Sequence, residues 1–185
     1  MTAAEKAGGK AVKRSAGILL YRGTPGPAPE VLLGHMGGPF WASKDAGGWT
    51  IPKGEYEPDE TAEAAARREF LEELGLPVPD GALLPLGENT QSNGKIVTIW
   101  ALEGDLDTAL VVPGTFTMEW PRGSGNVREF PEVDRAAWFP LDAAGDKILP
   151  AQLTFLDRLG RLLDGDGVAP YGSPGRPPLP RGDEA

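Results

Sequence analysis

The alternation of apolar and polar residues along the chain predicts a domain rich in strands. Apolar stretches of strand length occupy residues 15–22 and 30–36, and a loop rich in Pro and Gly separates them. We expect these two strands to pair antiparallel. Later strand-like stretches occupy residues 83–90, 95–103 and 116–120. Between the first two of these, Asn93 and Gly94 predict a tight hairpin turn.

Helical spacing of apolar residues appears in two places. The first predicted helix begins near Asp59 or Thr61, either of which can cap its start, and Gly75 ends it. The second lies within residues 150–163, where leucines recur at helical spacing. Strands, a central helix, further strands and a final helix predict an α/β sandwich with a mixed sheet.

The ends of the chain differ in composition from its middle. Residues 1–13 are polar, and we expect a flexible N-terminal tail. In residues 165–185, ten of the 21 residues are Gly or Pro, which favours a disordered C-terminal tail. The remaining 14–164 is long enough for one domain with a sizeable core.

Charge and composition narrow the class of protein. The net charge of −9 argues against a nucleic-acid binder, which needs a basic face. The chain has no cysteine, so disulfides and thiol chemistry are excluded. It contains no apolar run of the roughly 20 residues that a membrane helix needs, and its start lacks the apolar core of a secretory signal. We therefore expect a cytoplasmic protein without a membrane partner.

Three carboxylates fall on one side of the first helix. At about 100° per residue, Glu69, Glu72 and Glu73 share one sector, and the small side chains of Ala62 and Ala65 leave space beside them. A charge cluster of this kind is usually a solvated acidic face. The alternative is a site for a hard divalent cation such as Mg²⁺, which takes oxygen ligands and is often shared with substrate phosphates.

The spacing of the surrounding residues favours the cation site. Two glycines, four glutamates and an arginine stand at fixed intervals: Gly54, Glu60, Arg68, Glu69, Glu72, Glu73 and Gly75, with apolar Phe70 and Leu76. This pattern resembles the complete motif of the Nudix family, and a solvated acidic face does not explain its glycines, Glu60 or Arg68. The resemblance implies a Nudix-type α/β/α sandwich with a mixed sheet, in which residues 54–76 form a loop–helix–loop. Residues 128–139 are similar to the closing strand segment of such domains.

The resemblance also implies a reaction and its ligands. The reaction is hydrolysis of a diphosphate linkage with Mg²⁺, for which Mn²⁺ can substitute. The carbonyl of Gly54 and the carboxylates of Glu69, Glu72 and Glu73 are the expected metal ligands, with Glu69 and Glu73 as the best pair to bridge metals. An ion pair between Glu60 and Arg68 is expected to brace the loop.

The general base is open, because Nudix members take it from different places. Glu69 can double as the base. A carboxylate from the later strands is the alternative; we favour Glu119 over Glu132, although an exposed strand carboxylate explains Glu119 almost as well. Glu55 and Glu57 are interpreted as solvated loop charges.

Three residues are candidates for binding the substrate. Lys53 directly precedes Gly54 and can offer positive charge to a phosphate, and Lys95 follows the hairpin turn. Trp41 lies in a Gly-rich loop and can stack on a base, or it can plug the end of the sheet. The segment from Trp49 to Gly54 is similar to that of Nudix members acting on long polyphosphate chains.

The resemblance leaves several functions open. Dinucleoside polyphosphates and nucleoside triphosphates are the favoured small-molecule substrates, as in bacterial predicted nucleoside triphosphate pyrophosphohydrolases; nucleotide sugars and NAD-like molecules remain open. A MutT-like enzyme that removes mutagenic nucleotides would use the same chemistry. A different class is a Nudix-fold sensor that binds a nucleotide without cleaving it. By analogy with the family, the protein is a candidate homodimer.

Overall fold

The structure is a computed structural model and describes residues 12–24 and 28–165. These residues form nine strands and three helices. The strands are β1 (Arg14–Arg22), β2 (Glu30–Met36), β3 (Trp49–Thr50), β4 (Lys53–Glu55), β5 (Leu84–Thr90), β6 (Ile96–Glu103), β7 (Thr115–Glu119), β8 (Val127–Pro131) and β9 (Val133–Pro140). The helices are α1 (Ala62–Leu74), α2 (Leu141–Lys147) and α3 (Leu153–Leu163), and single 3₁₀ turns occur at Thr108–Leu110 and Pro150–Gln152.

Seven strands form one mixed sheet around β1. Strand β1 runs parallel to β6 and antiparallel to β2 and β4. The order across the sheet is β3-β2-β1-β6-β5, with β4 beside the first part of β1 and β9 beside β2. Strands β7 and β8 form a separate hairpin. The predicted antiparallel pairing of β1 and β2 is confirmed, as is the hairpin turn between β5 and β6, where Gly94 has a φ of +82°.

The two faces of the sheet are covered by different helices. On one face, Phe70 and Leu74 of α1 pack with Ile18 and Leu20 of β1. On the other, Phe155 of α3 belongs to a second core with side chains of β1, β2 and β6. Successive residues of β1 point to opposite faces, so one strand supplies both cores. The predicted α/β/α sandwich with a mixed sheet is confirmed.

The structure agrees with the predicted strand bounds but corrects two other predictions made from the sequence. The strand predictions agree with the structure to within one residue at each end. Residues 128–139, however, are two strands, because β8 pairs with β7 whereas β9 crosses to β2. The predicted helix at residues 150–163 begins as a 3₁₀ turn and becomes α-helical at Leu153. Helix α2 was not predicted.

The two predicted tails, residues 1–13 and 165–185, lie outside the described residues except for positions 12, 13 and 165. Within the described residues, no helix has the length and apolar character needed to cross a bilayer.

Candidate active site

The 54–76 motif forms a loop, a helix and a loop against β1. Strand β4, which contains Gly54, pairs with the first part of β1 and is thereby fixed to the sheet. Thr61 caps α1 by accepting a hydrogen bond from the Ala64 N–H at 3.2 Å. Gly75 ends the helix in the left-handed conformation, with a φ of +69°. Local residue chemistry therefore sets both ends of the helix that carries the carboxylates.

Gly54 lies directly against Glu69. A methyl group added at Gly54 would overlap the carboxyl group of Glu69, whose residue is only 9% exposed. Glycine is required here by this close approach, since its φ is not in the left-handed region. The contact places a backbone segment and a buried carboxylate side by side, and both can offer oxygen ligands.

Arg68 connects the loop to two of the helix carboxylates. Its Nε and Nη2 atoms donate to the two oxygens of Glu60 at 2.9 and 2.8 Å. Its Nη1 atom donates to Glu69 Oε1 at 2.6 Å and to Glu72 Oε2 at 3.1 Å. The hydrogen bonds that Arg68 donates to Glu60, and then the one it donates to Glu69, raise the pKa of Arg68. One guanidinium therefore serves three carboxylates.

Glu73 is the most strongly perturbed carboxyl group of the motif. Burial raises the pKa of Glu73 to about 8, although the positive charge of Lys53 acts in the opposite direction. The backbone N–H of Lys53 donates to Glu73 Oε2 at 3.0 Å. Burial also lowers the pKa of the Lys53 ammonium group. Ionisable groups perturbed in this way cluster at functional sites.

Glu132 is a fourth carboxylate facing the motif. Its backbone N–H donates to the Gly114 carbonyl at 2.9 Å, and the Gly114 N–H donates to the Glu72 carbonyl at 2.9 Å. Burial, together with the negative charges of Glu69 and Glu72, raises the pKa of Glu132. The bend at Glu132, between β8 and β9, thus brings this side chain to α1.

Glu119 lies at the turn of the β7–β8 hairpin, away from the carboxylates of the motif. Its carboxylate accepts a hydrogen bond from the Gly125 N–H at 2.6 Å, in the turn of the β7–β8 hairpin. The hairpin register places Glu119 four residues beyond Thr115, which pairs with Pro131 next to Glu132. At about 3.3 Å per residue, that separation is about 13 Å. The structure therefore does not bring Glu119 to the carboxylates of the motif.

Trp41 lies in the loop of residues 37–48, between β2 and β3. The Nζ atom of Lys44 sits 4.6 Å from the centre of a Trp41 ring, a cation–π contact. The loop begins beside the motif, because the Gly37 N–H donates to the Glu132 carbonyl at 2.9 Å. Trp41 therefore belongs to a segment anchored next to Glu132.

The single histidine fixes the same loop to the sheet. His35 is fully buried in β2; its Nδ1 atom lies 2.9 Å from both carboxylate oxygens of Asp134, and its Nε2 atom lies 2.5 Å from the Lys44 carbonyl. The imidazole also packs edge-on against Trp49. His35 thus acts in packing and in holding the loop.

A cluster of basic residues borders the site at β4. Lys95 Nζ lies 3.1 Å from Glu55 Oε1, and Lys13 Nζ lies 3.0 Å from Glu55 Oε2. The charge of Lys95 also contributes to the lowered pKa of Lys53. Sequence reasoning missed Lys13, which fell in the predicted tail, and it interpreted Glu55 as a solvated loop charge. No local pattern joins these residues, because 40 or more positions separate Glu55 from each lysine.

The donor set fits a hard divalent cation. Glu69, Glu72, Glu73 and the Gly54 backbone offer only oxygen ligands, which Mg²⁺ and Mn²⁺ accept. Within residues 12–24 and 28–165, no three acidic side chains converge as a ready-made metal site. The Nη1 atom of Arg68 donates to both Glu69 and Glu72 and so places a positive charge between them.

Comparisons with known proteins agree with the fold and the motif. The family model described as NUDIX domain matches residues 12–159. The chain belongs to the Nudix family. Membership makes it a pyrophosphohydrolase that acts on nucleoside diphosphate derivatives. No curated protein sequence matches the chain.

Solved structures show the same fold at low sequence identity. An Ap4A hydrolase binary complex from C. elegans is 23% identical, covers 82% of this chain and 98% of its own, and has a TM-score of 0.56. A MutT/Nudix family protein from Listeria innocua is 19% identical, with coverages of 83% and 95% and a TM-score of 0.54. The Nudix domain of Shewanella oneidensis NrtR, complexed with ADP ribose, is 17% identical, with coverages of 86% and 94% and a TM-score of 0.56.

Proposed function

We propose that the protein hydrolyses a diphosphate linkage in a dinucleoside polyphosphate or a nucleoside triphosphate, with Mg²⁺ as the metal. The observation that carries this proposal is the contact between Gly54 and the buried carboxyl group of Glu69. It places the glycine of the motif beside the helix sector that carries Glu72 and Glu73. A solvated acidic face has no need of that contact.

Four groups would hold the metal: the Gly54 carbonyl and the carboxylates of Glu69, Glu72 and Glu73. When bound, Mg²⁺ supplies neutralisation of phosphate charge and a more acidic water molecule. Mn²⁺ has the same preference for oxygen ligands and is a suitable substitute.

Arg68 prepares the site for a cation. Its Nη1 atom neutralises Glu69 and Glu72, whereas Nε and Nη2 are bound to Glu60. If a cation replaces Nη1 beside Glu69 and Glu72, the hydrogen bonds of Nε and Nη2 to Glu60 stay in place. Arg68 therefore keeps bracing the loop after it releases the two helix carboxylates. Arg68 is a positioning residue in this proposal.

Glu132 is the proposed general base. It faces Glu69 and Glu72, and burial raises its pKa, which makes its carboxylate a stronger base than an exposed one. Glu119 is a weaker candidate, because its carboxylate is bound to the Gly125 N–H at the hairpin turn. Glu69 is also weaker as a base, because its carboxylate accepts from Arg68 and is a proposed metal ligand.

The proposed substrate contacts lie on both sides of the motif. Lys53 and Lys95 would donate hydrogen bonds to phosphate oxygens near β4. Trp41, in the loop that begins beside Glu132, would stack its ring on a nucleobase. Long polyphosphate substrates are favoured by the form of the segment from Trp49 to Gly54. The fold shared with an Ap4A hydrolase agrees with that choice.

The test is product analysis by chromatography. Purified protein with Mg²⁺ or Mn²⁺ is offered dinucleoside polyphosphates, nucleoside triphosphates, ADP-ribose, NADH and nucleotide sugars, beside the Glu73→Gln variant. A matched control is Glu63→Gln, an exposed glutamate of the same helix that pairs with Arg67. We expect metal-dependent cleavage of polyphosphate substrates, lost in Glu73→Gln and kept in Glu63→Gln. Tight binding of a nucleotide without turnover would instead support a sensor.

A further inference from the structure

The turn between β3 and β4 leads into the motif, and side chains bind its backbone donors. Because Pro52 has no N–H, the donors on either side of it belong to Ile51 and Lys53. The Ile51 N–H donates to Gln152 Oε1 at 2.9 Å, and the Lys53 N–H donates to Glu73 Oε2 at 3.0 Å. A side chain from a distant part of the sequence therefore holds each end of the turn.

These two side chains come from opposite faces of the sheet. Glu73 belongs to α1, which packs on one face, and Gln152 ends the 3₁₀ turn that precedes α3 on the other face. Ile51 belongs to the core on the α3 side. The turn is therefore held from the layer that carries the carboxylates and also from the layer that does not.

Gln152 is fully buried, and its carboxamide is hydrogen-bonded at both ends. In addition to the Oε1 contact with Ile51, its Nε2 atom donates to Thr50 Oγ1 at 2.9 Å. The Thr50 hydroxyl lies 3.1 Å from the Ile51 carbonyl, to which it can donate. Ile51 is fully buried as well, and buried backbone N–H groups are rarely left unpaired. The carboxamide thus supplies a partner where the backbone pairing passes from β3 to β4.

The backbone that follows has little freedom to absorb a movement. The proline ring restricts both its own φ and the conformation of Ile51 before it. The Pro52 carbonyl accepts a hydrogen bond from the Ile18 N–H of β1 at 3.2 Å. Two residues further on, Gly54 has no space for a methyl group beside Glu69. A displacement of Ile51 is therefore passed on to Gly54.

We propose that Gln152 is a positioning residue: by holding Ile51, it fixes Lys53 and Gly54 from the side of the sheet opposite α1. This inference rests on the proposed function, in which Gly54 is a metal ligand and Lys53 contacts phosphate. Glu73 also holds the turn, but it is itself a proposed metal ligand. Gln152 is uncharged and lies outside the ligand set, so it gives the turn an anchor that does not depend on the metal.

Two variants break the hydrogen bonds of Gln152 at different points. Gln152→Met removes the acceptor of the Ile51 N–H, whereas the matched control Thr50→Val keeps the bond between Gln152 and Ile51. Each variant leaves a buried polar group without its partner, so both should lower the melting temperature. Only Gln152→Met releases the turn. If it fails to fold, the double variant Thr50→Val/Gln152→Met takes its place, because removing both polar side chains is better tolerated than removing one.

The first measurement uses neither metal nor nucleotide. Amide NMR spectra of the full-length protein are recorded in EDTA for the native protein and both variants. Because Lys53 and Gly54 follow the released turn, we expect their amide signals to shift clearly further in Gln152→Met than in Thr50→Val. A role limited to core stability predicts no such difference between the two variants.

The second measurement is Mn²⁺ binding without nucleotide, followed by electron paramagnetic resonance in EDTA-free buffer. Groups that orient metal ligands often contribute 10- to 100-fold to affinity, and Gln152 acts one step further away, so we expect roughly three- to tenfold weaker binding in Gln152→Met. With Mg²⁺ and a dinucleoside tetraphosphate, kcat/KM should fall about tenfold or more. Thr50→Val should stay within about twofold of the native protein in both measurements, since its turn remains held.

The outcomes separate this inference from the proposed function. If the native protein hydrolyses nucleotides with metal but Gln152→Met keeps native Mn²⁺ affinity and kcat/KM, the positioning role fails and the reaction stands. Equal losses in Gln152→Met and Thr50→Val also overturn the positioning role. If the native protein neither binds Mn²⁺ nor hydrolyses any nucleotide, the proposed function fails, and the amide signals of Lys53 and Gly54 alone decide whether Gln152 positions them.

Discussion

The α-carbon of Gly54 lies so close to the carboxyl group of Glu69 that no methyl group fits between them. Gly54 is in a three-residue strand and Glu69 is in the middle of α1. Their contact joins the sheet to the carboxylate face of the helix, and it depends on glycine for its space and not for an unusual backbone angle. Any side chain at position 54 must move the carboxylate, the strand or both.

Gly54→Ala should therefore damage the site directly. Overpacking of this kind costs about 1–3 kcal/mol of unfolding free energy, and displacement of Glu69 should lower metal-dependent activity at least about tenfold. Urea unfolding and kcat/KM measure the two effects. Gly145→Ala in α2 is the control, since its added methyl meets Leu153 at an ordinary 3.7 Å. Full activity in Gly54→Ala would show that the contact is dispensable.

Glu132→Gln and Glu119→Gln should differ strongly in kcat. Glu132 faces the carboxylates of α1, so removing its basicity should lower kcat by about 10²- to 10⁴-fold. Glu119 is bound at the hairpin turn, and its variant should stay within about twofold of the native enzyme. Steady-state rates at saturating substrate and Mg²⁺ decide between them. The opposite order would return the base to Glu119, and two small effects would point to Glu69.

Arg68→Gln should make the protein depend more on metal for its stability. Without the guanidinium, Glu69 and Glu72 lose their cation and repel each other. The melting temperature in EDTA should fall, and the increase on adding Mg²⁺ should exceed that of the native protein, because binding to the folded state stabilises it. Differential scanning calorimetry measures both temperatures.

The control for this prediction is Glu60→Gln. It weakens the brace to Arg68 but leaves the Nη1 contacts to Glu69 and Glu72 in place. We expect Glu60→Gln to melt at a lower temperature than the native protein. Adding Mg²⁺ should raise its melting temperature by about as much as it raises that of the native protein. If Mg²⁺ raises the melting temperature of Arg68→Gln no more than that of the native protein, Arg68 does not substitute for the cation.

Adjacent positions of α1 should respond very differently to truncation. Phe70 is fully buried against β1, whereas Leu71 is 49% exposed. Phe70→Ala should lower the free energy of unfolding by about 3–5 kcal/mol, and Leu71→Ala by about 0.5 kcal/mol. Chemical denaturation gives both values. Similar losses in the two variants would mean that Leu71 is covered in solution.

Features controlled by neighbouring residues were predictable. The Thr61 and Gly75 ends of α1 follow from hydrogen bonding and backbone freedom within a few residues. The turn at Asn93-Gly94 follows from the same local rule. Helix α2 was missed because its seven residues are too few to show a helical period, and its formation depends on packing beside α3.

The choice of base shows where local rules end. Glu119 and Glu132 are both acidic residues near the ends of short strands, and the sequence-based preference for Glu119 had no information on the environment of either side chain. Strand β8 turns into β9 at Glu132 and changes sheets, and this brings the side chain to α1. Pairing between strands distant in the chain therefore placed Glu132, and not Glu119, beside α1.

The sequence alone determined the helix, the spacing of Glu69, Glu72 and Glu73, and the family, because helical periodicity and capping act over a few residues. Only the tertiary structure decided which other groups meet them. It placed Gly54 on Glu69, brought Glu132 to the same face, and gathered Lys13, Glu55 and Lys95. The register of β1 with β4 and β6 set the contacts of Gly54 and of the lysines, and the pairing of β9 with β2 set the position of Glu132. Register depends on hydrogen bonds between segments that lie far apart in the sequence.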